Sequence, residues 1–177
     1  LVDQWRFDRD QLGSEEFVSR RDFEASFAPS QADLLIQKDT DPHYRVFNTS
    51  AGLTSDSYTS YHHKSVGGYH GAKLARYQDL IDRQLSKGNL SVYNMLNTKW
   101  FIVKDNANQP IAQPNLAACG HAWFPAELNR VDGPDAAMAA LTDFDPQRTA
   151  VVDAQDVAPD VALPVAADSA ALIDLKN

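Results

Sequence analysis

The sequence predicts an α/β or α+β domain, with a mixed β-sheet of about four to five strands and helices packed on it. Two observations carry this expectation. Short apolar, β-branched and aromatic runs recur between helical stretches, at Tyr44–Phe47, Lys99–Lys104, Ala122–Leu128 and Thr149–Asp153, and are expected to share one sheet. Leu74, Tyr77, Ile81 and Leu85 fall at helical spacing, with Leu80 beside them, so the stretch from about Gly71 to Ser86 should pack that stripe on the sheet. At 177 residues, 44% hydrophobic and 23% charged, the chain has enough apolar side chains to order a core.

The elements follow in chain order. From Leu1 to Phe27, aromatic and charged residues alternate, so Trp5, Phe7, Phe17, Phe23 and Phe27 are expected to plug a wrapping segment into the surface. Ser14 reads as the cap of a short helix there. Ser30 caps a clearer helix, with Asp33 three residues on, and Asp41-Pro42 stops it. A strand at Tyr44–Phe47 then gives way to a Ser-, Thr- and Asn-rich loop from Asn48 to Ser60. After the stripe helix, Lys87-Gly88-Asn89 forms a C-cap, and a short helix at Ser91–Leu96 leads into the strand Lys99–Lys104. Asp105 to Asn108 turns the chain, and Pro110–Pro114 suits an edge strand, where proline is tolerated. Pro134–Leu141 is an Ala-rich helix. Residues 1–153 thus read as one domain, and 154–177 as a linker and final strand at Ala170–Leu175.

Net charge is −8 and the pI about 4.9, so the surface repels phosphate backbones and nucleic acid is excluded as a partner. The single Cys119 permits neither an internal disulfide nor a thiolate zinc site, and packing is its expected role. The P-loop, the dinucleotide fingerprint and the nucleophile elbow are all missing, so no cofactor and no catalytic residue is assigned. The carboxylate pairs Glu15-Glu16, Asp79 with Asp82, and Asp143 with Asp145 lack apolar flanks that would raise a pKa, and read as solvated. Asn48-Thr49-Ser50 and Asn89-Leu90-Ser91 fit the glycosylation pattern but read as turn and cap chemistry.

The candidate site is the segment Tyr61 to Arg76. Tyr61, His62, His63, Lys64, Gly67, Gly68, Tyr69, His70, Lys73 and Arg76 combine rings, cations and glycines before a helix start. Rings suit sugar faces, cations and helix N-termini suit phosphates, and glycines permit close backbone approach. The segment is expected to form a surface concavity with the helix start. A Gly-rich turn with packed tyrosines and solvated charges would look similar. Metal binding by His62, His63 and His70 is disfavoured, because neighbours on an extended chain point to opposite sides.

Asp41-Pro42-His43-Tyr44-Arg45-Val46, then Tyr61 through Asp82 (YHHKSVGGYHGAKLARYQDLID), then Asn94 through Ile102 (NMLNTKWFI), resemble the Bacteroidetes branch of the YfhO family. Gly120-His121-Ala122-Trp123-Phe124 and Ala150-Val151-Val152-Asp153 extend the likeness, with His121 departing from the expected asparagine. The family consists of large multi-spanning membrane proteins similar to type-C glycosyltransferases. The resemblance implies a soluble extracytoplasmic (periplasmic) domain at the cell membrane, with the membrane-embedded remainder of the same chain as its partner. It also implies an accessory role in binding or positioning a polyprenyl-phosphate sugar donor or a cell-envelope acceptor glycan. The catalytic carboxylate of such enzymes is expected outside this segment. A start at Leu1 and an abrupt end at Asn177 fit a piece of a longer protein. The alternative is a structural or protein-interaction ectodomain that binds no ligand.

Overall fold

The computed structural model describes residues 4–7, 17–69 and 71–158. Ser14, Glu15, Glu16, His70 and the expected strand Ala170–Leu175 lie outside them. The architecture is α+β, with two sheets. The first has the order β1 (Arg45–Asn48), β2 (Thr98–Lys104), β3 (Pro110–Pro114). Its β1 and β2 run parallel, while β2 and β3 form an antiparallel hairpin. At the hairpin turn, the Asp105 carboxylate accepts from the amides of Ala107 and Gln109, and Asn108 takes φ 61°. The second sheet is the parallel pair β4 (Glu127–Val131) and β5 (Thr149–Asp153).

The expectation of one common sheet is corrected by this split. Ala122–Leu128 is not a continuous strand, because Pro125 has no amide to donate to a ladder. Pairing starts only where the Ala126 amide meets Arg148 O at 2.7 Å. Trp123 instead donates its indole N–H to Pro146 O at 2.8 Å.

The helices bounded among the described residues are α1 (Arg20–Ser26), α2 (Gln31–Ile36), α3 (Tyr58–His62), α4 (Ala75–Arg83), a 3₁₀ turn (Leu85–Lys87), α5 (Leu90–Met95) and α6 (Pro134–Ala140). Ser30 and Asp33 form the expected capping box on α2. Asn89 caps α5 by accepting from Ser91 N at 3.1 Å, and Asn48 accepts from Ser50 N at 3.0 Å, as the turn reading anticipates. Three further expectations are corrected. The Asn48–Ser60 loop ends early, since its last residues, from Tyr58, belong to α3. The stripe helix starts at Ala75, not Gly71, so Leu74 sits at the N-cap with ψ 134° and is 76% exposed. An extended residue breaks the helical phase, and the spacing from Leu74 to Tyr77 no longer shares one face. The N-terminal rings are not all plugged into the domain surface: Trp5, Phe7, Phe17 and Phe23 are exposed, whereas Phe27 is half-buried between Phe23 at 5.1 Å and Tyr61 at 4.8 Å.

Two core clusters result. Val66, Leu80, Ile81, Leu85, Val92 and Tyr93 form one, with Met138, Leu141 and Phe144 of the α6 region packed against it. Ala32, Ile36, Val46 and Ile102 form the other, between α2 and the first sheet. Each fully buried aliphatic side chain contributes roughly 1.5–3 kcal/mol. Gln84 and Asn89 tie the α6 region to α4 and α5 by donating to Met138 O at 2.7 Å and Leu141 O at 2.8 Å.

Candidate functional site

The Tyr61–Arg76 segment divides into an anchored half and a displayed half. His63 begins the anchored half. Its side chain and that of Asp33 are both fully buried, with Nε2 3.0 Å from Asp33 Oδ1. The same carboxylate accepts from the Ser30 amide at 2.7 Å, from the Ser30 hydroxyl at 2.6 Å and from Tyr58 Oη at 3.1 Å. Burial pushes the Asp33 carboxyl up, but the bonds from Ser30, His63 and Tyr58 outweigh it, and its pKa lies below the ordinary value. Burial lowers the His63 pKa, and the Asp33 carboxylate offsets only part of this. A neutral imidazole donating from Nε2 to a carboxylate follows, leaving Nδ1 to accept from Tyr44 Oη at 3.4 Å. This network joins α2, β1 and the end of α3.

Beyond His63 the chain lies along the free edge of β1. Val46 N donates to Lys64 O and Val66 N donates to Val46 O, both at 2.9 Å, making a parallel bridge between Val46 and Ser65. This covers an edge that would otherwise present unpaired backbone groups. Lys64 Nζ donates to Pro42 O. Gly67 is required by space, since a Cβ there would lie 2.4 Å from Leu53 O. Gly68 is required by its φ of +130°, and its amide donates to Leu53 O at 2.9 Å. Tyr77 Oη donates to Val66 O and closes the anchored half.

The displayed half presents Tyr69, 81% exposed, then half-buried Lys73 and exposed Leu74 and Arg76. Among the described residues, neither Lys73 nor Arg76 has a hydrogen-bond or ion-pair partner. The α4 start carries no side-chain cap and no acidic residue in its first turn. Tyr61 is exposed at the end of α3, tilted against Phe27 at 4.8 Å and edge-on to His62 at 5.1 Å. His62 is half-buried in the last turn of α3, not on an extended chain, and its buried Nε2 has no partner among the described residues.

The structure therefore brings Tyr61 and His62 together on α3 and sets Lys73 and Arg76 at the α4 start, while His63, Gly67 and Gly68 serve the frame. Asp33 and Tyr44 belong to that frame and were not singled out. A capping Asp thirty residues from a histidine carries no sequence signal of their pairing. Two cavities lie elsewhere. One of about 370 Å³ is lined by Trp123, Phe144 and Val151, and another of about 570 Å³ by Phe47, Thr49, Ile81 and Asp82. No candidate-site residue lines either, so the expected concavity is not one of these two.

Cys119 is half-buried, and burial together with the Asp145 carboxylate pushes its thiol up, the opposite of nucleophile activation. Among the described residues there is no cluster of three or more His, Cys, Asp or Glu side chains able to hold a metal ion. No described helix is long and apolar enough to cross a membrane. No protein-family model matches the chain, and no curated protein or solved structure is significantly similar to it.

Proposed function

We propose that this chain is an accessory extracytoplasmic domain of a YfhO-like integral-membrane glycosyltransferase, positioning a polyprenyl-phosphate sugar donor or an envelope acceptor beside the membrane-embedded remainder of the protein. The observation that carries the reading is the division of the Tyr61–Arg76 segment. A buried network, a β-bridge, a space-limited glycine and a positive-φ glycine hold one half, while Tyr69, Lys73 and Arg76 are displayed without partners among the described residues. In a chain of net charge −8, two unpaired cations at an uncapped helix start favour an anionic group. Exposed Tyr61 and Tyr69 offer rings for a sugar face. Lys64, which is tied to Pro42 O, orients the segment instead.

The test is made in the intact membrane protein, where catalysis would occur. Replacing Lys73 and Arg76 together with Ala lowers sugar transfer about tenfold or more, roughly 1.4 kcal/mol, with an unchanged melting temperature. Unaltered transfer refutes the ligand-positioning role. That result would favour a protein-interaction ectodomain, a second reading supported by exposed Phe124 at 62% and Leu116 at 95%.

A further inference from the structure

We propose that the cleft of about 570 Å³ between the end of β1, the loop after it and the C-terminal half of α4 is a binding site for a neutral saccharide. Its volume lies in the range of small-molecule sites, about 300–1,000 Å³. Phe47, Ile81 and Leu85 supply an apolar floor, and Thr49, Asp82 and Ser86 stand among the polar lining. The Phe47 ring is fixed by stacking on Tyr93 at 4.7 Å.

The hydrogen-bond accounting of the polar groups selects the ligand. The Thr49 hydroxyl donates to Ile102 O at 3.1 Å, and the Ser86 hydroxyl donates to Asp82 O at 2.9 Å. A hydroxyl has a single proton, so both oxygens remain as acceptors only. Asp82 adds a carboxylate, one oxygen of which takes Gln78 Nε2 at 2.8 Å. These acceptors, with the Thr54 hydroxyl able to donate or accept, stand beside an apolar, aromatic floor and suit a ligand with many hydroxyls and a C–H face, which is a sugar ring. A phosphate would find a single hydroxyl donor among these side chains and the like charge of Asp82 beside it. A small ammonium would satisfy Asp82 but leave the floor uncovered.

The cleft shares a wall with the candidate segment, because Leu53, which lines it, is the residue Gly67 abuts. Arg76 and Asp82 lie at opposite ends of α4, about 9 Å apart along its axis. An anion at one end and a neutral sugar at the other would lie side by side, as donor and acceptor. That acceptor role rests on the proposed function, whereas the binding itself does not.

Amide NMR of the chain during titration with a methyl glucopyranoside, glucosyl phosphate and ethanolammonium tests this. The glycoside should shift the Thr49, Asp82 and Ser86 amides saturably at millimolar concentration. Asp82→Ala and Ser86→Ala, both at exposed positions, should each weaken it by about threefold to tenfold. A cleft silent to the glycoside, one that answers only to ethanolammonium, or affinity unchanged in both variants overturns the proposal. Glucosyl phosphate moving only the Tyr69 and Arg76 amides, with the cleft silent to every probe, upholds the proposed function and overturns the saccharide site.

Discussion

At its C-terminal end α4 buries Leu80 and Ile81 and runs into the turn that buries Leu85. At its N-terminal end Leu74 is 76% exposed, and Lys73 and Arg76 are unpaired among the described residues. The Tyr61–Gly68 stretch repeats the contrast across the loop, with His63 and Val66 buried and Tyr69 exposed just beyond them. Fold stability and display of chemistry are thus separated along single elements. A side chain at the displayed end can change without cost to the core, and one at the anchored end cannot. This arrangement fits recognition, because a rigid frame lowers the ordering cost of binding.

The largest effect should come from the frame. Asp33→Ala leaves His63 Nε2 and the Ser30 amide and hydroxyl without their acceptor, while Tyr58 keeps Ala28 O at 2.7 Å, and at roughly 1–3 kcal/mol for each stranded donor it should cost about 3–5 kcal/mol in denaturant unfolding. A loss under about 1 kcal/mol would mean that the buried network is not what anchors the segment. Along α4, Ile81→Ala should cost about 2–5 kcal/mol and Leu74→Ala no more than about 0.5 kcal/mol. Equal losses would erase the contrast between its ends. Gly67→Ala should cost about 1–3 kcal/mol, because the new methyl meets the backbone of Leu53 and not a movable side chain.

Acid should act through the same frame. The folded-state pKa of His63 lies below its ordinary 6.5, so the neutral ring's contribution is complete above 6.5 and is lost as pH falls from there toward the folded value. Asp33, held below 3.8, adds a further loss only as pH falls through its own lower folded pKa. The melting temperature should therefore be flat just above neutrality and begin to fall near pH 6.5. In His63→Asn the first phase should vanish while the second, more acidic one persists. A first phase retained in that variant would assign it to another group.

Much of this was legible in the sequence where the signal is local. The Ser30–Asp33 capping box, the asparagine caps, the β2 run, the Pro-bounded β3 edge and the Ile81–Leu85 stripe all depend on neighbours within a few residues. What was not legible depends on distant partners or on one residue's backbone. The Asp33–His63 bond spans thirty positions, and each residue alone had a good local explanation as cap or ligand. Leu74 fits the helical period by side-chain type, yet its extended ψ takes it off the face. Pro125 splits what hydrophobicity alone reads as a strand. Asp82 reads as solvated, because nothing in its own stretch announces the 49–54 loop opposite it. The exposed aromatics of the N-terminal segment suggest plugs into the domain surface, since ring content does not tell which side a short helix presents.

The most direct test of the account is amide NMR of the chain titrated with glucosyl phosphate at low and high salt. The account predicts saturable shifts at Tyr69, Lys73 and Arg76 that shrink as salt rises, with the His63, Val66 and Gly67 amides nearly unmoved. Shifts confined to the anchored half, or none at Lys73 and Arg76 at low salt, would contradict it.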